Sequence, residues 1–148
     1  MRTITPISSL LLMLLPAVAF AQEGAPLPRT PAPDGAMVYF VSPADGERVT
    51  SPVTIRFGLR GMGVAPAGVQ SPNTGHHHLL IDVDTLPPDS LPLPATEQVR
   101  HFGLGQTEAE IALEPGEHTL QLVLGDALHI PHQPPVRSEK ITITVVAP

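Results

Sequence analysis

The sequence predicts an all-β fold, an immunoglobulin-like antiparallel β-sandwich of about seven strands. Proline and glycine account for 19 and 12 of the 148 residues, and both residue types interrupt long helices and mark turns. From Met37 onward, apolar residues recur at every second position in short runs, which is the period of a half-buried strand. Short strands at this spacing over about 110 residues are typical of a β-sandwich.

Six strands follow directly from this alternation, at positions 38–40, 53–59, 76–84, 107–113, 119–124 and 140–145. A further short strand is expected between residues 86 and 100, a stretch rich in proline. The segment from Leu113 to His118 lies where the chain of a sandwich domain turns into the penultimate strand. In such domains a tyrosine at this corner forms a hydrogen bond with the backbone a few residues upstream, and His118 occupies the same position. We therefore expect His118 to point inward and to be structural.

The first 21 residues have the pattern of a signal peptide. A positive charge at Arg2 precedes a mostly apolar run, and small residues at Ala19 and Ala21 suit a signal peptidase. The run is too short and too broken by proline to span a bilayer of roughly 30 Å. We expect a periplasmic or secreted protein in which residues 1–21 are removed, residues 22–36 form a disordered proline- and alanine-rich tether, and residues 37–148 form the folded domain.

Composition excludes several classes of function. The net charge is −6 and the 8 basic residues are scattered, so nothing in the chain resembles the basic surface of a nucleic-acid binder. There are no cysteines, which excludes disulfide scaffolds, thiol catalysis and cysteine-ligated metal. Once the signal peptide is removed, we expect no membrane insertion. The 7 histidines are the remaining chemically distinctive feature.

The predicted strand directions bring most of these histidines to one end of the sandwich. Strand alternation puts the first and third residues of a three-histidine run on one face and His77 on the other, towards the core. Whether His77 is a ligand or a core residue stays open at this point. The residues that we expect to form a metal site at this end are His76, His78, His101, His129 and His132, with Met62 as an optional soft ligand.

All-nitrogen sites without thiolate suit copper(II), zinc or nickel, and copper binds most strongly among the common divalent ions. A thioether from Met62 would also favour copper(I). We therefore expect copper, with zinc as the alternative. Imidazoles bind metal when neutral, so an ordinary histidine pKa near 6.5 predicts weaker binding below about pH 6. Asp126 could orient an imidazole or could serve only as a turn residue.

From about Val38 to Val145 the chain resembles the bacterial domain-of-unknown-function family 4399. The motifs that carry the resemblance are GMGVAPAG at 61–68, GHHHLLID at 75–82, FGLGQTE at 102–108, PGEHTLQL at 115–122, and HIPH at 129–132 running into SEKIT at 138–142. The resemblance implies an exported protein and no settled activity. A periplasmic β-sandwich that bears histidine and methionine is also similar, at the level of the fold alone, to the periplasmic copper-resistance C proteins.

Three functions remain open from the sequence. The first is a periplasmic metal-binding protein that sequesters or delivers copper, with the ion and another periplasmic protein as partners. The second is a copper-dependent redox enzyme similar to superoxide dismutase, because histidine sites on β-sandwiches support that chemistry. The third is a cell-envelope interaction module whose histidines bind no metal. Of these, the carrier is favoured over the enzyme.

Overall fold

The computed structural model describes residues 28–147. The predicted signal peptide and residues 22–27 of the predicted tether lie outside the described residues. The described part contains no helix capable of crossing a membrane. It contains nine strands: β1 Met37–Ser42, β2 Arg48–Thr50, β3 Val53–Arg60, β4 Gly63–Val64, β5 Thr74–Ile81, β6 Val99–His101, β7 Glu108–Ile111, β8 Gly116–Gly125 and β9 Ile141–Val146.

The strands form two sheets that share one core. The smaller sheet has the order β1-β3-β7, and the larger has the order β2-β9-β8-β5-β4, with β6 paired to β5. Apolar side chains of both sheets meet in a single cluster, with Ile55 and Phe57 on one side and Leu79, Leu122 and Ile143 on the other. Removing such side chains from water is the main force that holds the sheets together.

The prediction of an all-β fold is confirmed. The pairing is mainly antiparallel, but β2 pairs with β9 and β4 pairs with β5 in parallel. Nine strands are present in residues 28–147 rather than about seven, because β2 and β4 are short edge additions of three and two residues. The short strand expected between residues 86 and 100 is β6, which lies at the end of that stretch. The finer immunoglobulin-like assignment stays a prediction.

Strand β5 is buried on both of its faces, which alternation alone did not predict. His77, Leu79 and Ile81 are buried on the side of the main core, whereas Leu80 contacts a second cluster with Val123. The second cluster also contains residues from the proline-rich stretch and the strand after it, Leu86, Leu93 and Val99. The segment between β5 and β6 therefore covers the outer face of the larger sheet.

Residues 28–36 differ from the expected disordered tether. The amide of Ala32 donates to the carbonyl of Gln133 over 2.9 Å, and the amide of Gln133 donates to the carbonyl of Thr30 over 2.9 Å. Pro31 forms a parallel bridge with Gln133. Proline content suggested mobility, but these backbone groups find partners on a distant part of the chain, and Ala36 packs against the core.

His118 occupies the corner position that the sequence predicts. One ring nitrogen lies 2.9 Å from the carbonyl oxygen of Glu114, four residues upstream, and the other lies 2.7 Å from a carboxylate oxygen of Asp82. Burial alone lowers the pKa of His118, but the hydrogen bonds to Asp82 and Glu114 outweigh it and raise the pKa. Both partners are acceptors, so the imidazolium satisfies both bonds. His118 is structural.

Candidate metal centre

Strand β5 places two imidazoles on the outer face of the larger sheet. The side chains of His76 and His78 lie on the same face because residues two apart in a strand do so, and both are fully buried. Their ring centroids are 4.8 Å apart. The sequence predicted that they lie at one end of the sandwich. The structure places them on the outer face of β5, the face of the larger sheet that the segment between β5 and β6 covers.

Strand β6 brings His101 to this pair. His101 lies in this edge strand, whose register sets it directly opposite His78. Residues directly opposite in an antiparallel pair have neighbouring side chains. The His101 ring centroid is 5.1 Å from that of His78 and 5.0 Å from that of His76. His101 is the exposed member of the group.

The loop after β8 supplies a fourth imidazole from His129. Its backbone has φ 68°, the left-handed region, which reverses the chain in a tight turn. Asp126 holds this turn, because one of its carboxylate oxygens accepts from the amides of Leu128 at 2.9 Å and Ile130 at 3.0 Å. Of the two roles that the sequence left open for Asp126, the structure shows the turn residue.

The four rings form one compact group. The His129 centroid lies 4.7 Å from His101, 5.0 Å from His76 and 6.0 Å from His78. For three of the residues, His76, His78 and His101, one ring nitrogen of each lies within 4.8 Å of the others. Side-chain rotations that bring these nitrogens closer together would let them face one ion, at the zinc–nitrogen distance of about 2.0–2.1 Å.

The buried imidazoles of this group have unusual electrostatics. Neither ring nitrogen of His76 or of His78 has a hydrogen-bond partner within residues 28–147. Burial, followed by the neighbouring imidazoles, lowers the pKa of His76 to about 4 and that of His78 to about 3. Burial and His129 also lower the pKa of His101. Neutral rings with free nitrogens are the form in which histidine binds a metal.

Two glycines make room for the rings, and sequence reasoning missed both. A Cβ atom at Gly125, which lies across from His76 in β8, would lie 2.7 Å from Cε1 of His78. A Cβ atom at Gly103 would overlap the His101 ring. A glycine inside a strand marks a close approach of other groups, and the position of Gly125 after an apolar strand was the available signal.

His132 and Met62 do not join the group. The ring nitrogens of His132 lie 3.3 Å from the carbonyl oxygen of Leu124 and 3.1 Å from that of Thr74, so both are directed at backbone acceptors. His132 anchors the loop to two strands. Met62 packs against the main core between the sheets, on the other side of β5 from His76 and His78. Strand direction predicted that these residues share an end, but it could not predict where their side chains point.

His77 is a core residue. Its ring lies 5.1 Å from that of Phe57 in the main core, away from the four-histidine group. Neither of its ring nitrogens has a hydrogen-bond partner in the described chain. Burial lowers its pKa to about 4, and the nearby backbone of Gln106 offsets only part of this.

The sequence profile of one family, described as domain of unknown function DUF4399, matches residues 55–146. This range is more than half of the chain. The chain belongs to the DUF4399 family. The matched range includes all four clustered histidines and begins after β1, so it is shorter at the start than the resemblance suggested. A search of curated proteins and a search of solved structures each gave no match.

Proposed function

We propose that this DUF4399 protein binds one transition-metal ion, copper before zinc, and sequesters or delivers it. The ligands in this proposal are His76, His78, His101 and His129. The observation that carries the proposal is the convergence of four imidazoles from three separate chain segments, two of them fully buried with no hydrogen-bond partner among the described residues.

The buried nitrogens favour a ligand over a purely structural role. Buried polar side-chain atoms nearly always have a hydrogen-bond partner, and leaving one without a partner costs about 1–3 kcal/mol. His118 and His132 follow this rule through contacts with carbonyl or carboxylate oxygens. His76, His77 and His78 do not. Of these three, His77 packs beside Phe57, whereas His76 and His78 face each other and His101. A bound ion would give their nitrogens the missing partner.

The donor set favours copper or zinc over hard cations. Calcium and magnesium prefer oxygen ligands, and the described donor group consists of imidazoles. The nearby Asp126 carboxylate already accepts bonds from Thr30, Leu128 and Ile130. For nitrogen sites copper(II) binds more tightly than zinc, so copper is the first candidate.

The uneven burial of the four residues favours a carrier. His76 and His78 are enclosed, whereas His101 is exposed and His129 is half-buried. An incoming donor from another protein or a chelator could replace the outer imidazoles first, while the inner pair still holds the ion. The N-terminal pattern of an exported protein supports a site of action in the periplasm or outside the cell.

Metal titration of the untagged protein tests the proposal. Copper(II), copper(I) and zinc would be added in turn to the wild type, to a His76→Ala/His78→Ala variant and to a His101→Ala/His129→Ala variant. We expect one equivalent to bind tightly to the wild type and both double variants to lose that binding. His118→Ala is the matched control and should bind normally. Unchanged binding of one equivalent by each double variant would overturn the proposal.

A further inference from the structure

The loop that carries His129 is held by a segment far away in the sequence. Residues 28–33, here called the N-terminal strap, lie along the outer side of this loop. The hydroxyl of Thr30 donates to Asp126 over 2.7 Å, at the carboxylate oxygen that the loop amides leave free. The strap therefore completes the hydrogen bonding of the residue that shapes the turn.

The strap also holds the far end of the loop. Nε of Arg29 donates to the carbonyl of Pro131 over 3.0 Å, and the same guanidinium donates to the carbonyl of His132. Beyond these contacts, Ala32 and Thr30 exchange backbone hydrogen bonds with Gln133. The strap thus contacts the chain on both sides of His129.

Arg29 also connects the strap to the proline-rich segment between β5 and β6. Its guanidinium lies 3.8 Å from the carboxylate of Asp89, which also pairs with Arg137. The proline-rich segment of Asp89 contacts the same loop directly, because the amide of Leu93 donates to the carbonyl of His129 over 2.8 Å. The amide of Gly68 also donates to the carbonyl of Ala127 in this loop, but the strap makes more hydrogen bonds to residues 126–133 than the proline-rich segment or Gly68 does.

We infer that the N-terminal strap positions His129 and thereby controls how tightly the ion is held and how fast it leaves; this rests on the proposed function. The other three imidazoles lie on strands β5 and β6, whose ladders fix them. His129 alone depends on a loop. The strap lies before the residues that the DUF4399 profile matches, so it adds a control element to the matched domain. Arg29 and Thr30 are its positioning residues.

The test compares Thr30→Val, Arg29→Gln and their combination with the wild type. Thr30→Val keeps the side-chain shape and removes the hydroxyl that donates to Asp126, and Thr30→Ser should restore wild-type behaviour. Outer partners of metal ligands typically contribute about 10–100-fold to affinity. We expect the combined variant to bind copper(II) about tenfold more weakly or worse, and to release it correspondingly faster to a chelator.

A spectroscopic readout separates positioning from general destabilisation. The electron paramagnetic resonance spectrum of the copper(II) complex of the combined variant should approach that of His129→Ala. The matched controls are Ser51→Ala, which removes a hydroxyl that accepts from the amide of Leu113, and Arg56→Gln, which removes an exposed ion pair with Glu108. Both should keep the wild-type spectrum and affinity.

Hydrogen exchange of the metal-free protein separates this inference from the proposed function. Amides of the loop at 126–130 should exchange at least about tenfold faster in the combined variant, with strands β5 and β8 unaffected. If the wild type binds no metal, the proposed function fails while loop exchange still decides whether the strap positions His129. Unchanged loop exchange, or an unchanged spectrum and affinity in a metal-binding protein, would overturn the inference.

Discussion

Replacing the buried core histidine should stabilise the protein. His77 has no hydrogen bond of good geometry among residues 28–147, has only a weak interaction with the backbone of Gln106, and packs beside Phe57. His77→Leu removes two polar atoms whose burial costs about 1–3 kcal/mol, while the change of shape costs up to about 1.5 kcal/mol. At about pH 7.5 we expect a net gain of about 1 kcal/mol in the free energy of unfolding.

The gain should increase as the pH falls. The unfolded chain takes up a proton at His77 with the ordinary pKa of 6.5, whereas burial lowers the folded pKa to about 4. Between these values the unfolded state binds more protons, so the wild type loses stability as the pH falls below 6.5. At about pH 5 these two values give a loss of about 2 kcal/mol. His77→Leu avoids this loss, so its advantage should reach about 3 kcal/mol.

Urea unfolding of the metal-free wild type and variant, in the presence of a chelator, measures the difference in unfolding free energy at both pH values. His118→Ala is a control with the opposite sign of pH dependence, because the folded pKa of His118 is raised and its contribution is largest below pH 6.5. The reasoning is refuted if His77→Leu destabilises the protein equally at both pH values. Loss of metal binding in this variant would instead make His77 a ligand.

Three further predictions concern residues around the site. His118→Ala should cost about 0.5–1.5 kcal/mol of unfolding free energy, because it removes hydrogen bonds to the exposed Asp82 carboxylate and Glu114 carbonyl. Copper stoichiometry should stay the same, and a lost equivalent in a titration would make His118 a ligand. His132→Ala should destabilise the fold by a similar amount in denaturant unfolding yet keep the copper affinity, whereas loss of affinity would return it to the ligand set. Gly125→Ala should weaken copper binding at least about tenfold, because its Cβ would displace the His78 ring. The control Gly63→Ala, whose Cβ would make only an ordinary contact at 3.4 Å, should bind copper normally. Equal affinities of the two variants would contradict the role of Gly125.

The sequence predicted the parts of the fold that follow from local alternation. The longer strands and the opposite faces of His76 and His77 follow from the period of two, and the corner at His118 follows from its position before the penultimate strand of a sandwich. Strand β6 was harder to predict, because three residues after a proline-rich stretch carry almost no periodic signal. Its pairing with β5 is a long-range contact, yet it is what sets His101 opposite His78.

The candidate site was predictable in composition but not in detail. Strand direction brought His129 and His132 to the same end, and the structure separates them because the backbone reverses at His129. His132 then points at backbone carbonyls. Hydrogen bonds from Arg29 and Thr30 were also invisible in the sequence, since composition alone suggested a mobile segment there. Contacts between residues about a hundred positions apart have no local signal.

X-ray absorption spectroscopy of the one-to-one copper complex tests the central claim most directly, because multiple scattering from imidazole rings counts the histidine ligands. We predict four imidazoles in the wild type and three in His101→Ala and in His129→Ala. His132→Ala should leave the count unchanged. A spectrum with one imidazole or none, or a count that falls on loss of His132 but not of His101, would contradict a metal centre on the outer face of β5.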